Sequence, residues 1–435
     1  MRWCIAVLAL WPCGAAMAEL PPAVADADYA PVDMSQVALG RMLFYDPILS
    51  GNRNISCSTC HHPRFATSDG LPLGLGEGGV GLGPERRTDP ANLPEERIPR
   101  HSPALFNLGA REFTTLFHDG RIEVDLTKPG GFRTPMGEDM SAGFANLLSA
   151  QTMFPVLSAD EMAGHYSEND VAQAVRQGRI TGPDGAWNVL ARRIALTDAY
   201  KPLIQNAFAD ERTFDFTAVS DAIAAFVAFE WRSDTSPFDA YLRGTGELSD
   251  DQAEGMALFY GDAGCAGCHS GPFQTDHAFH AMGVAQFGPG KAARFESHVR
   301  DTGRMGVTGR AADAYAFRTP SLRNVAHTAP YGHTGSHADL AAFVADHVAP
   351  RAALDRFDRG AVALPPLPDA EDWRHLDDPT EQAALRAAIA IPDTPLETAQ
   401  IAKIVAFLGS LSDPVALTGR LGVPDAVPSG LPFEK

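Results

Sequence analysis

The stretch Cys57-Ser58-Thr59-Cys60-His61 decides the fold of this chain, and it returns as Cys265-Ala266-Gly267-Cys268-His269. On a helical turn, positions i, i+3 and i+4 share one face, so two thiols and one imidazole point the same way. Two thiols at this spacing can add to the vinyl groups of one haem, and the histidine that follows then reaches its iron. The two stretches therefore predict two covalent c-type haems, with His61 and His269 as axial ligands.

Other interpretations of the cysteines explain less. Cys4 and Cys13 lie in an N-terminal segment that we expect to be removed, which leaves four. Four cysteines in an exported protein ordinarily indicate two disulfides, and C-x-x-C also occurs in redox pairs and zinc sites. None of these alternatives explains why histidine follows both pairs, so we favour two haems.

The first 18 residues have the parts of a secretory signal peptide. They are Arg2, an apolar run over 3–10 and the small-residue site Ala16-Met17-Ala18. No later stretch approaches the roughly 20 apolar residues of a membrane-spanning helix. We therefore expect a periplasmic protein that is exported with a cleaved signal peptide and has no membrane span.

Length and charge limit the organisation and the partners. The 435 residues exceed the roughly 250–300 at which a single core usually divides. We therefore expect domains over 19–235 and 236–435, joined by a linker at 234–246. With 54 acidic and 35 basic residues the net charge is -19, which argues against nucleic acid as a partner.

Hydrophobic periodicity predicts a mostly α-helical fold, with helices over 218–231, 249–260 and 401–411. Glycine and proline are abundant, at 40 and 33 residues, and they concentrate in a long loop over 70–100. Motif pairs recur at offsets of 215, 208 and 217 residues, which indicates two related halves. We expect two cytochrome c-like haem domains with long Gly/Pro-rich loops.

In this arrangement the chain resembles the bacterial di-haem cytochrome c peroxidases and their MauG-like relatives. The resemblance implies that the first haem reacts with peroxide and the second relays electrons. It also implies that Glu161 is the catalytic acid/base and Gln151 its companion. The matching segments are Leu43-Phe44-Tyr45-Asp46, Ser102-Pro103-Ala104-Leu105-Phe106-Asn107, Phe117-His118-Asp119-Gly120-Arg121, Gln151 with Glu161-Met162, Ser236-Pro237-Phe238-Asp239, Pro320-Ser321-Leu322-Arg323-Asn324 and Thr328-Ala329-Pro330-Tyr331.

One departure from the family concerns the first iron. In the peroxidases a histidine after the first haem caps the resting iron, but this chain has no histidine between His62 and His101. Either His101 is the cap or the iron is open. We favour the open iron, because His101 matches a position that the family often fills with a calcium-linked asparagine.

A second departure concerns the second iron. The sixth-ligand position falls on His347, where the peroxidases have methionine and MauG has tyrosine. A second imidazole lowers the potential of a haem relative to a thioether. His337, Met282 and Met305 are the rival ligands.

The remaining differences lie between the haems. His118 replaces the family's tryptophan, so it carries electrons less well and is a candidate partner for a haem propionate. His333 is a second candidate of that kind. The family's interdomain calcium uses the backbone of Thr328 and Pro330, which are present, but its asparagine is His101 here, so calcium is left open.

These observations favour a peroxidase that reduces hydrogen peroxide with electrons from a small redox protein, a cytochrome c or a cupredoxin. A MauG-like oxidase acting on tryptophan or tyrosine of a partner protein is the alternative. A di-haem electron carrier without catalysis is the third hypothesis, and it assigns no role to Glu161. The oligomeric state, with a homodimer among the options, does not follow from the sequence.

Overall fold

The computed structural model describes residues 19–165, 168–208, 212–291 and 300–435. The predicted signal peptide, residues 1–18, lies outside the described residues. The helices are α1 Met34–Tyr45, α2 Cys57–Cys60, α3 Leu147–Thr152, α4 Asp170–Arg176, α5 Ala186–Ala195, α6 Lys201–Phe208, α7 Phe216–Glu230, α8 Pro237–Leu242, α9 Asp250–Tyr260, α10 Met305–Thr308, α11 Leu340–His347, α12 Pro350–Arg356, α13 Arg374–Asp377, α14 Pro379–Ala388, α15 Thr398–Gly409 and α16 Pro414–Thr418.

The strands are short and form three small antiparallel sheets, β1–β2, β3–β4–β5 and β6–β7. The mostly helical prediction is therefore confirmed. The strands are β1 Gly79–Val80, β2 Arg87–Thr88, β3 Thr115–Leu116, β4 Ile122–Val124, β5 Phe132–Arg133, β6 Phe279–His280 and β7 Phe317–Arg318.

The three helices predicted from periodicity are present with slightly different ends, as α7, α9 and α15. The starts of α7 and α9 follow from capping side chains that satisfy the first backbone N–H groups. The Asp215 carboxylate accepts from the backbone of Thr217 at 3.0 Å, and the Ser249 hydroxyl accepts from Gln252 at 3.3 Å.

The segment 234–246, expected as the linker between the two domains, contains helix α8. Its role as a linker stays a prediction. Phe238 on this helix is fully buried. Asp239 forms a buried ion pair with Arg323 at 2.6 Å. Burial of the aromatic ring and the paired charge outweighs the breaking signal of Ser236-Pro237, which instead caps and starts the helix.

The two halves repeat one helix pair, α1 packed on α7 and α9 packed on α15. Each crossing depends on a glycine. A Cβ atom on Gly40 would lie 1.8 Å from the Ala222 oxygen, and one on Gly255 would lie 1.9 Å from the Lys403 oxygen. These glycines are 215 positions apart, as are the matching sequence motifs before each cysteine pair.

Each helix pair has its own aromatic cluster, but the C-terminal segment crosses between them. Ala416 and Val427 pack in the cluster of the first half. The Ser429 hydroxyl donates to the Asp46 carboxylate at 2.6 Å. The end of the chain therefore stabilises the half that contains the first cysteine pair.

Candidate haem sites

Both Cys-x-x-Cys-His stretches form a tight turn, closed by a hydrogen bond of 2.9 Å from the histidine N–H to the first cysteine carbonyl. No disulfide joins any of the four described cysteines, which argues against the disulfide interpretation. Burial raises the pKa of Cys57 and of Cys60 to about 12. A redox pair instead needs a low thiol pKa, so the first stretch does not fit that class.

The imidazoles that follow each pair are held in the same way. His61 Nδ1 lies 2.9 Å from the Thr67 carbonyl, and His269 Nδ1 lies 3.1 Å from the Gln274 carbonyl. A carbonyl partner keeps the proton on Nδ1 and leaves the Nε2 lone pair for a metal. Burial also lowers the pKa of both rings, which favours the neutral form that ligates iron.

His347, the last residue of α11, faces His269. Their ring centroids are 6.2 Å apart. Two metal–nitrogen bonds of about 2 Å, with a ring radius on either side, span about 6 Å, so the pair fits an iron between the rings. Burial lowers the pKa of His347 to about 3, which keeps it neutral.

The rival ligands of the second iron are placed less favourably. His337 uses both nitrogens, with Asp346 at 2.8 Å and Ser336 at 2.8 Å. Met282 lines a cavity beside His347, and Met305 begins α10. The geometry therefore favours His347, whose role as ligand stays a prediction.

The turn that carries Glu161 is built by its neighbours in space. Ser158 caps a single π-helical turn over Ala159–Ala163, and its hydroxyl accepts from Glu161 N at 3.3 Å. The Gly-rich loop pairs with this turn through Glu77 N, 2.8 Å from the Asp160 carbonyl. A Cβ atom on Gly76 would lie 2.2 Å from that carbonyl, so the close approach needs glycine.

The Glu161 carboxyl is influenced by groups from both halves. Burial raises its pKa, and the Lys291 ammonium and the Arg121 guanidinium offset only part of that rise. The same carboxylate contributes to the raised pKa of Cys60, which puts it within electrostatic reach of the first cysteine pair. Nothing in the sequence pattern pointed to Lys291, because only the tertiary fold brings it there.

Gln151 lies on α3, ahead of the Glu161 turn. Its side chain is partly buried, and among the described residues no hydrogen bond joins its amide to Glu161. Its role as companion of Glu161 stays a prediction.

His101 has both ring nitrogens engaged. Nδ1 lies 2.7 Å from the Leu71 carbonyl, and Nε2 lies 3.3 Å from the Ser68 hydroxyl. The neighbouring Ser102 hydroxyl is 3.2 Å from His61 Nδ1, so this segment lies on the Nδ1 side of His61. These contacts favour an open first iron over a cap by His101.

Buried charges connect the two halves. Arg100 pairs with Asp301 at 2.6 Å and with Asp119 at 2.7 Å. Arg318 is partly buried, and its Nε donates to the Phe117 carbonyl at 3.2 Å. No described carboxylate lies within ion-pairing distance of Arg318, so its partly buried charge fits an acidic group of a bound molecule, such as a haem propionate.

His118 and His333 lie close to these charges. Burial and the nearby Arg100 lower the pKa of His118. The His333 ring stacks on Phe317 at 3.7 Å, and its Nε2 lies 2.9 Å from the Gln286 amide nitrogen. His333 is therefore occupied within the protein, and contact of either histidine with a propionate stays a prediction.

The segment proposed to bind calcium is a turn ahead of His333. The Thr328 hydroxyl donates to the Val325 carbonyl at 3.2 Å, and Pro330 follows a cis peptide bond. In the described part of the chain, the one group of three metal-ligating side chains of the His/Cys/Asp/Glu type lies elsewhere, at Cys268, Asp276 and His280. Calcium at Thr328 and Pro330 stays a prediction.

No described helix is long and apolar enough to cross a membrane.

Solved structures share the fold. A MauG-like protein associated with microbial copper homeostasis matches with a TM-score of 0.52 and 25% identity, over 94% of this chain and 97% of that one. The diheme peroxidase BthA from Burkholderia thailandensis matches with a TM-score of 0.58 and 20% identity, over 97% of each chain.

Sequence relatives identify the family. Residues 34–247 match the model of the family described as di-haem cytochrome c peroxidase. Methylamine utilization protein MauG of Methylorubrum extorquens is 32% identical over 73% of this chain and 69% of its own length. Cytochrome c551 peroxidase of Pseudomonas aeruginosa is 31% identical over 73% of this chain and 72% of its own. The chain therefore belongs to the di-haem cytochrome c peroxidase and MauG family, a family of oxidoreductases that implies two haems.

Proposed function

We propose that this chain is a periplasmic di-haem c-type peroxidase that reduces hydrogen peroxide to water. Its halves, 19–235 and 236–435, are proposed as cytochrome c-like domains with haems attached through their cysteine pairs. One observation carries the proposal. His269 has a facing imidazole, His347, at 6.2 Å, whereas His101 near His61 already uses both ring nitrogens.

The reaction consumes one peroxide, two electrons and two protons and yields two water molecules. A haem bound at His61 supplies the iron that binds peroxide and takes part in electron transfer. Glu161 acts as the general acid/base: its carboxylate accepts the proton of the inner peroxide oxygen and returns it to the outer one. Such acid–base help is typically worth 10²–10⁴-fold in rate.

The surroundings of Glu161 suit that task. Burial alone would favour the protonated acid, which cannot accept a proton. The charges of Lys291 and Arg121 oppose burial and favour the carboxylate. We propose Gln151 as the neutral neighbour that orients peroxide.

Electrons are proposed to enter at the second haem site. In the second attachment segment Gly267 is exposed and Cys268 is partly exposed, whereas Ser58 and Thr59 of the first are buried. The net charge of -19 suits a donor with a basic face, because complementary charge accelerates encounter. A small cytochrome c or a cupredoxin fits this description.

A MauG-like oxidation of tryptophan or tyrosine in a partner protein is the second candidate. His347 in place of methionine favours it, because a low potential at the second haem makes that haem easier to oxidise. Both proposals include the calcium ion that the family resemblance implies at the backbone of Thr328 and Pro330. His101, which stands where the family has asparagine, would provide no side-chain oxygen for that ion.

Peroxide turnover separates the candidates. With reduced cytochrome c in excess, a peroxidase oxidises two equivalents for each peroxide, catalytically and from the resting protein. A protein-modifying oxidase instead keeps the oxidising equivalents of one added peroxide for minutes and gives little turnover. Inertness to peroxide in both assays would leave only the electron carrier and would contradict the proposal.

A further inference from the structure

The Gly-rich loop closes over a polar cluster that the proposed reaction does not use. Glu77 is 0% exposed at the centre of this cluster. Its Oε1 accepts from the side-chain amides of Asn52 at 3.0 Å, Asn54 at 2.9 Å and Asn92 at 2.9 Å. Its Oε2 is buried and has no hydrogen-bond partner within the part of the chain that the structure describes.

Within the described ranges, no cationic side chain forms an ion pair with Glu77. Arg86 is close enough to interact electrostatically, but its guanidinium donates to three carbonyls of the same loop instead. These are Leu75 at 2.5 Å, Gly76 at 2.7 Å and Gly81 at 2.6 Å. A buried carboxylate with one oxygen unpaired and no ion pair is costly, which indicates that a cation belongs there.

We propose that Glu77, Asn54 and Asn92 form a calcium-binding site. Rotating a terminal amide by half a turn exchanges its nitrogen and oxygen, so the same positions can present oxygens to an ion. Oxygens that share one Ca²⁺ at 2.3–2.6 Å lie about 3 Å apart. That spacing matches the 2.9 Å between Glu77 Oε1 and the amides of Asn54 and Asn92.

Calcium suits these ligands better than magnesium. Ca²⁺ accepts irregular sets of carboxylate and amide oxygens, whereas Mg²⁺ demands a near-octahedral set. Asn54 is exposed, so the ion and its remaining water ligands have access from solvent. Asn52 stays a hydrogen-bond donor, because its oxygen accepts from Asn169 at 2.8 Å and its nitrogen also donates to Glu168 at 2.8 Å.

The site would join two segments that build the first haem site. Glu77 N bonds to the Asp160 carbonyl, and Gly51 N bonds to the Met162 carbonyl at 2.8 Å. The ligands therefore come from the loops that hold the Glu161 turn on either side. They include none of His101, Thr328 and Pro330, so this ion is additional to the one that the family resemblance implies.

Calcium titration of the haem-loaded protein tests the site. The protein is stripped with a chelator and titrated with Ca²⁺ by calorimetry. We expect Glu77→Gln to bind one equivalent fewer than the wild type, and Asn54→Ala to weaken the same equivalent about tenfold or more. Glu85→Gln and Asn206→Ala, exposed residues outside the cluster, should bind as the wild type does.

Calcium bound at Thr328 and Pro330 would add the same number of equivalents to the wild type and to every variant. The difference between them therefore still reports on the Glu77 site. Equal stoichiometry and affinity in the wild type and Glu77→Gln would overturn the proposal, as would a wild type that binds no calcium. If Glu77→Gln does not fold, the exposed Asn54→Ala decides. Calcium should also raise the unfolding midpoint of the wild type more than that of Asn54→Ala.

Discussion

The two Cys-x-x-Cys-His sites share the same local turn but differ in the side chains that lie near them. In both, the histidine Nδ1 lies near a carbonyl, at 2.9 Å for His61 and 3.1 Å for His269. Around the first, the fold brings a carboxylate, Glu161, whereas at the second it brings another imidazole, His347. Local sequence therefore sets how each histidine is held, and the tertiary fold sets which other side chains lie near it.

The two attachment segments also differ in their exposure to solvent. In the first attachment segment Ser58 and Thr59 are buried, and loops from both halves hold the residues around them. The second has an exposed glycine between its cysteines. This contrast suits proton transfer at the more shielded first site and electron entry at the more exposed second site.

The largest effect is expected from Glu161→Gln. The amide keeps the shape of the side chain but cannot accept a proton, so kcat/KM for peroxide should fall about 10²–10⁴-fold. Spectra of the second haem should not change. The control is Glu138→Gln, an exposed residue, and an equal loss there would contradict the assignment.

Arg100→Met tests the buried ion pairs that join the two halves of the chain. It leaves Asp119 and Asp301 buried without their partner, which should lower the free energy of unfolding by about 3–5 kcal/mol. Denaturant titration measures this, with Arg374→Met, part of an exposed ion pair with Glu371, as a nearly neutral control.

The same pair predicts a pH dependence. Arg100 lowers the pKa of Asp119 to about 2 and that of Asp301 further. Carboxyls with lowered pKa stabilise the fold above their unfolded pKa near 3.8, and this contribution is lost as pH falls toward 2. Stability of the wild type should drop across that window, and that of Arg100→Met should drop less.

A smaller effect is expected where the Gly-rich loop passes the Glu161 turn. In Gly76→Ala the new Cβ would lie 2.2 Å from the Asp160 carbonyl, so the turn must move. We expect about 1–3 kcal/mol of destabilisation and up to about 10²-fold lower peroxide turnover. Gly409→Ala has no atom within 4 Å of its Cβ and should change neither.

The smallest effect is expected from Lys291→Met. Removing the ammonium raises the pKa of Glu161, so the acid limb of the peroxide pH profile should move to higher pH, by up to about one unit. Lys291→Arg keeps the charge and should keep the wild-type limb. A profile that is unchanged in Lys291→Met would mean that Lys291 does not influence Glu161 during turnover.

Much of this comparison was accessible from the sequence. Spacing predicted both attachment turns, periodicity predicted α7, α9 and α15, and the motif offsets indicated two related halves. The family resemblance pointed to Glu161 and His347, and both lie where such roles are feasible.

The rest depends on contacts between distant segments, which carry no local signal. Lys291 and the Glu77 cluster are assembled only in the folded chain. Helix α8 within the predicted linker depends on such contacts as well, because Phe238 is buried and Asp239 pairs with Arg323.

Electron paramagnetic resonance of the resting diferric protein tests the central claim most directly. We expect equal amounts of a high-spin iron, with one open face at His61, and a low-spin iron, held by His269 and His347. In His347→Ala the low-spin signal should be lost, and added imidazole should restore it. Two low-spin irons in the wild type, or a low-spin signal that persists in His347→Ala, would contradict the account.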